Sequence, residues 1–239
     1  MKQLIKTAVI AIHSSLKCNT RGKIIYYHDV YDKVQYTDMG TSLVLFKKHI
    51  AVIKSNGFKI VNRHPVNDFE IQLCFDDGWL GIWDTKDYFI NNNILPTIFI
   101  APNLVGKRDY LNWDQISFLK EKGFIFQSHT CNHVVLTDLN DSALAKELVS
   151  SKDIISSHLN IEIDSICFPC GNYSQKIIDE SYKAGYKKLY ISVPGSINPK
   201  DTIINRNLVQ DSSPFRLKCI LYGGLDVIKK RTYEHHFSK

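Results

Sequence analysis

Two adjacent carboxylates, Asp76 and Asp77, close the apolar run Ile71-Gln72-Leu73-Cys74-Phe75 and precede Gly78. Within a strand, neighbouring side chains point to opposite faces. At a strand end the glycine lets the chain turn, and both carboxylates can then serve one site. One can ligate a metal while the other holds a water and takes its proton. A plain Asp-Asp-Gly surface turn is the competing account of the same residues. Farther along, His129 and His133 follow a second apolar run, Phe124 to Gln127. On a helical turn this spacing puts both imidazoles on one side, close enough to share a metal. One capping and one surface histidine is the alternative. Asp77, His129 and His133 together would form a two-histidine, one-carboxylate face with positions left for water and substrate. That is the donor pattern of a catalytic rather than a structural metal. Zinc suits it, and Co, Ni or Fe can fill the same face.

Something must hold these groups together, and the chain alternates strand-like with helix-like segments. Strands are expected at Lys23–His28, Phe58–Val61, Ile71–Phe75, Pro96–Ile100, Phe124–Gln127, Ser165–Phe168, Lys187–Ser192 and Thr202–Leu208. Helices are expected at Phe46–Asn56, Trp83–Asn92, Asn112–Lys122, Asp141 (as N-cap) to His158, Ser174 (as cap) to Gly185, and Pro214–Lys230. Alternation of this kind predicts an α/β fold with mostly parallel strands. Seven or eight β-then-α units, without a Pro-, Gly- or Ser-rich linker, predict one domain built as a closed or partly closed β/α barrel. A doubly wound sheet is the fallback. The boundaries read as an N-terminal helical segment over 1–20 and one domain over 21–239. The polar motifs fall where strands end, which is where β/α folds build their sites.

Three runs, Phe75-Asp76-Asp77-Gly78, Ser128-His129-Thr130-Cys131-Asn132-His133 and Phe168-Pro169-Cys170-Gly171-Asn172-Tyr173, resemble in order and spacing the motifs of the NodB-type polysaccharide deacetylases, carbohydrate esterase family 4. The stretch from Phe46 to Val61 and the Tyr182-Lys183-Ala184-Gly185-Tyr186 run extend the likeness across most of the chain. The resemblance implies a single α/β domain folded as a distorted (β/α)7-type barrel, and hydrolysis of the N-acetyl group of an amino sugar in a glycan. It implies Asp76 as general base and Asp77, His129 and His133 as ligands of a divalent metal. It also implies an oxyanion donor in the backbone N–H after the third-motif proline, here that of Cys170. A family-type C-terminal Leu-x-His motif is absent, and His235 and His236 fall in a charged tail beyond the last expected helix. Instead Tyr26-Tyr27-His28-Asp29-Val30 resembles the Tyr-His motif of the circularly permuted branch, which includes deacetylases of poly-N-acetylglucosamine. That makes His28 the expected acid, because first and last barrel strands are neighbours.

Two departures stand out. The family's arginine before the third-motif proline is missing, since Ile166-Cys167-Phe168 precede Pro169, and no acidic-Trp motif is found. Arg206, at the end of a late strand, is the candidate to face Asp76 in its place, with an ordinary surface arginine as the alternative. Trp79 and Tyr173 are candidate sugar platforms, whereas Trp83 and Trp113 are expected in the core. Cys167-x-x-Cys170 has redox spacing, but the fold is not of thioredoxin type.

Composition narrows the field. Of 239 residues, 44% are hydrophobic and 23% charged, which suits a globular domain rather than disorder. The net charge of +6 is spread along the chain, and the one basic run, Lys229-Lys230-Arg231, suits a solvated helix end. No zinc finger, RNP-like motif or basic stripe supports nucleic-acid binding. The six cysteines lack a disulfide-framework spacing and predict buried, reduced thiols in a reducing compartment. The apolar run Ala8–Ile12 is short for a signal-peptide core. These features predict a cytoplasmic protein, with a first helix lying on the domain or on a membrane face. The expected partner is an N-acetylated glycan. A catalytically silent glycan-binding protein and a hydrolase of a non-sugar amide are the competing functions.

Overall fold

The chain, seen in a computed structural model that describes residues 2–238, is built around nine parallel strands. They are β1 (Lys23–Tyr27), β2 (Lys59–Val61), β3 (Glu70–Phe75), β4 (Thr97–Ile100), β5 (Ile125–Ser128), β6 (Ser165–Cys167), β7 (Lys188–Ile191), β8 (Ile203–Asn205) and β9 (Asn207–Leu208). Between and around them run α1 (Lys2–Leu16), α2 (Leu43–Ser55), α3 (Gly81–Asp84), α4 (Lys86–Asn91), α5 (Trp113–Glu121), α6 (Asp141–Leu159), α7 (Gln175–Lys183), α8 (Pro214–Leu221) and α9 (Lys229–His236). Every residue of β1 and β3 is buried. Parallel strands covered on both faces behave this way.

The spatial order is β8-β7-β6-β5-β4-β3-β1-β9, with β2 paired to the first half of β3 and β4 to its end. The expected strand Thr202–Leu208 is in fact two half-strands at opposite ends of this path. Leu189 to Ile191 pair with 203–205, while Ile25 and Tyr26 pair with 207–208. One interrupted strand therefore bridges both edges of the sheet and nearly closes it. Counted as one position, it makes a seven-place barrel, as the unit count anticipates.

Closure sorts the side chains by parity. Ile24, Tyr26, Cys74, Phe99, Cys167, Tyr190 and Ile204 form a small apolar plug inside the barrel. The alternate residues, Ile25, Tyr27, Leu73, Phe75, Ile98 and Phe126 among them, join the larger core between sheet and helices. The plug is a dry floor on which strand-end groups stand.

Most expected elements form near their expected bounds, and the exceptions have local causes. Asn140, not Asp141, caps α6, with its side chain accepting from the Ala143 N–H at 2.9 Å. Asp141 is instead the first helical residue, where its charge faces the helix dipole. The helix expected over Trp83–Asn92 begins two residues earlier and is split at Thr85. The single C-terminal helix expected to Lys230 stops at Leu221, turns through Gly223 and resumes as α9. Phe237–Ser238 then pairs with Tyr173–Ser174. His235 and His236 are thus the end of a docked helix, not a tail. Tyr233 and Phe237 stack on each other and meet Tyr173 edge-on, which anchors the segment. At the other end, α1 packs on α8 and on the turn at 224–228. Among the described residues no helix is long and apolar enough to cross a membrane.

Candidate active site

The ends of β1, β3, β5, β6 and the β8–β9 junction open on a cavity of about 500 Å³. His28, Asp76, Asp77, His129, His133, Cys170 and Arg206 all line it. Every candidate site residue except the two aromatic ones therefore reaches one place.

Asp76 and Asp77 extend β3. Asp76 keeps the strand's direction, its N–H donating to the Tyr27 carbonyl at 3.1 Å. Asp77 adopts φ +72° and Gly78 φ +79°, and the chain turns away. The left-handed pair is what lets adjacent carboxylates serve one cavity.

The histidine pair is reached differently from the sequence expectation. Residues 129–133 are not helical: Thr130 has φ +63° and His133 φ +55°. The loop is held by buried Glu147 of α6, whose carboxylate accepts the Cys131 and Asn132 N–H groups at 2.9 Å each and the Asn132 side-chain amide. So pinned, the two imidazole rings sit with centroids 4.9 Å apart. Their Nε2 atoms lie 3.3 and 3.1 Å from Asp77 Oδ1.

That oxygen is buried and has no true hydrogen-bond donor. The partner at His129 Nδ1 is the Cys167 carbonyl, at 2.8 Å, so Nδ1 carries the proton and Nε2 presents a lone pair. Three acceptor atoms converging on one point, all within 4.8 Å of one another, fit a divalent cation. Asp77 Oδ2 accepts from the Trp79 indole N–H at 2.9 Å, and the indole stacks on Tyr110 at 4.3 Å. Trp79 thus orients the carboxylate and does not line the cavity, contrary to its expected role as a sugar platform.

Asp76 is gripped by Arg206. Nη1 meets Oδ1 at 2.6 Å and Nη2 meets Oδ2 at 2.9 Å, with both side chains nearly inaccessible. Arg206 occupies the break between β8 and β9, over the Tyr26 ring at 4.1 Å. The surface-arginine alternative is thereby excluded. Burial favours the neutral acid at Asp76, and the guanidinium overrides it, leaving a lowered pKa.

His28 stands at the end of β1 with Nδ1 2.7 Å from the Gln210 side-chain oxygen. An amide oxygen only accepts, so Nδ1 carries the proton and Nε2 is free. The parallel pairing of β1 with β9 brings Gln210 within reach.

Cys170 lines the cavity in a left-handed conformation, φ +56°. The remaining candidate, Tyr173, is 1% exposed and buried among Phe168, Tyr233 and Phe237. It is a floor for the C-terminal segment, not a sugar platform, because that segment covers the ring. All six cysteines are free; Cys18 and Cys170 are exposed rather than buried, and Cys167 turns its thiol toward Asp76 at 3.9 Å. Sequence reasoning missed Gln210, Glu147 and Arg216, each a lone polar residue with no motif around it, and set His236, which lines the cavity, aside as part of a tail.

Comparison with known proteins bears on the fold and the family. The family model for polysaccharide deacetylases matches residues 63–189, more than half of the chain. A putative polysaccharide deacetylase of Bacillus subtilis, YxkH, is 22% identical over 188 residues, 72% of this chain. The chain spans about 65% of the length of that curated relative. Among solved structures, the Streptococcus pyogenes deacetylase PplD in complex with acetate is 21% identical with TM-score 0.73, covering 82% of this chain and 96% of that one. IcaB from Ammonifex degensii is 16% identical with TM-score 0.74, covering 86% and 98%. These likenesses show the fold. With the family model matching over half its length, the chain belongs to the polysaccharide deacetylase family.

Proposed function

We propose that the protein is a metal-dependent de-N-acetylase acting on an N-acetylhexosamine of a glycan. The observation that carries this is a single rim bearing three convergent metal-ligand atoms, a clamped carboxylate and a histidine with a free nitrogen. Asp77, His129 and His133 would hold the divalent metal, with zinc the best match to one oxygen and two imidazole nitrogens. Such an ion supplies Lewis-acid chemistry, making a water more acidic and a carbonyl more electrophilic.

The chain's own groups do the rest. Asp76, kept ionised by Arg206, takes a proton from the attacking water as its oxygen adds to the acetamide carbon. The Cys170 N–H is the donor for the developing oxyanion. The C–N bond then breaks, and His28, charged as the imidazolium with its Nδ1–H donating to Gln210, gives its Nε2 proton to the departing amine; the proton taken by Asp76 then recharges the ring. Acetate and a free amine leave. The PplD structure, described as a complex with acetate, supports this reading by likeness of fold.

The test is acetate release from N-acetylglucosamine oligomers by metal-stripped protein, with and without zinc. Zinc-dependent release that Asp76→Ala abolishes is expected. Stoichiometric zinc binding without release, across neutral oligomers and small amides alike, would favour the silent glycan-binding protein. Release from non-sugar amides alone would favour that class of hydrolase. Absence of metal binding would overturn the proposal.

A further inference from the structure

Three cavities meet at one residue of α8. Arg216 lines the active-site cavity, a second of about 590 Å³ between α1 and α9, and a third beside residues 208–212. Lys6 lines both outer cavities, and Arg231 lines the second. A trough thus leads away from the metal-ligand cluster toward three cations contributed by α1, α8 and α9.

These cations have no counter-charge. Among the described residues every ion pair uses other basic groups. Asp211 lines the third cavity but pairs with none of the three. The Arg216 guanidinium has one long contact, Nη1 to the Thr7 hydroxyl at 3.4 Å. It is half-buried, and burial pushes its pKa down. Like charges gathered in a partly dry trough repel one another and lose hydration. The arrangement is stabilised when an anion enters. A forked guanidinium beside a point-charge ammonium matches the several oxygens of a phosphate. Next to the cations, Val9, Ile10 and Ile228 give the second cavity an apolar wall, and Ile12 of α1 and Phe215 of α8 add exposed apolar surface.

Resting on the deacetylase reading, we infer that this trough binds a phosphate or diphosphate group carried by the substrate. The substrate class is then a glycosyl phosphate whose acetamido sugar lies over the metal ligands. The apolar wall takes the near end of an aliphatic chain where the phosphate is lipid-linked.

Calorimetric binding to the full, metal-free chain tests this without turnover. Three probes suffice: N-acetylglucosamine, N-acetylglucosamine 1-phosphate, and the dodecyl phosphodiester of the same sugar. The phosphate should tighten binding by about 10-fold or more over the neutral sugar, and that gain should shrink as salt rises. Lys6→Ala/Arg216→Ala/Arg231→Ala should erase the gain, whereas the charge-keeping variants Lys6→Arg and Arg231→Lys should retain most of it. Further tightening by the dodecyl chain identifies a lipid-linked source; equal affinity of the two phosphates identifies a free sugar phosphate. Equal binding of neutral and phosphorylated sugar, or a gain that survives the triple variant, would overturn the inference. Acetate release is measured separately, so phosphate binding without deacetylation sinks the catalytic reading instead.

Discussion

Arg206→Ala isolates the group that sequence comparison alone could not assign. In the wild-type chain a bidentate pair at 2.6 and 2.9 Å joins two side chains that are 1% and 4% accessible. Removing the arginine strands a carboxylate in a dry setting, which costs ~3–5 kcal/mol for a buried pair. It also strips the guanidinium from the face of Tyr26 and leaves a void beside Phe99. For a chain of this size each kcal/mol moves Tm by about 2–4 °C, so a fall of roughly 6–20 °C is expected at pH 7. The pH dependence gives a second readout. With Arg206 present, Asp76 has a folded pKa below its ordinary 3.8. Its stabilising contribution is therefore present above that value and lost as pH falls. Without Arg206, burial prevails and the folded pKa rises above 3.8. The variant's contribution is then present in acid and lost as pH rises, so its deficit against wild type should shrink on acidification. The acid limb of the pH–rate profile for acetate release should move upward in the same variant, since the base must be ionised. Denaturant unfolding at pH 5 and pH 8, with a pH–rate series, checks both. Arg206→Met with Asp76→Leu should recover much of the stability and none of the activity. Arg206→Ala within about 1 kcal/mol of wild type, with an unmoved acid limb, would refute the reasoning.

Three other perturbations follow from the same geometry. Glu147→Gln replaces one of the acceptor oxygens that pin residues 131–132, and zinc affinity in a chelator competition should fall about 10–100-fold; an unchanged affinity would mean the loop holds itself. Burial pushes the Asp29 carboxyl up to about 8. Its folded pKa lies above the unfolded one, so its contribution is present below about 4 and lost as pH rises through 8. Asp29→Asn should therefore flatten the decline in unfolding free energy between pH 5 and pH 9, a term of up to ~5 kcal/mol. A decline as steep as the wild type's would refute it. Gly81→Ala places a Cβ 2.6 Å from the Val30 carbonyl oxygen and closer still to the Asp29 carboxylate. It should cost ~1–3 kcal/mol and lower kcat by disturbing the residue next to His28. Thermal unfolding at wild-type temperature would show that the turn yields freely.

The chemistry written in contiguous strings was legible before any coordinates. An apolar strand followed by Asp76-Asp77-Gly78 tells where the carboxylates stand, because strand, turn and ligand are neighbours in the chain. The His129–His133 spacing predicted the pair but not its backbone, since a helical turn and a loop with two left-handed residues both bring the rings together. What chose the loop is Glu147, 15 and 16 residues away from the N–H groups it accepts. Tyr173 shows the converse error. Proximity to a motif does not say which way a ring points, and pairing with Phe237 turned it inward.

By itself, then, the sequence determined the alternation of buried strands and capped helices, the candidate residues that the proposed function uses as ligands and base, and the order of the motifs. These are local properties of apolar runs, capping residues and strand-end carboxylates. Only the tertiary structure decided that Thr202–Leu208 splits to close the barrel, that Arg206 in the break clamps Asp76 from 130 residues away, and that Gln210 orients His28 across 182. It also decided that α1, α8 and α9 gather unpaired cations beside the cavity. Isolated polar residues leave no periodic trace in a sequence; their partners are chosen when strands far apart in the chain become neighbours and exclude water between them.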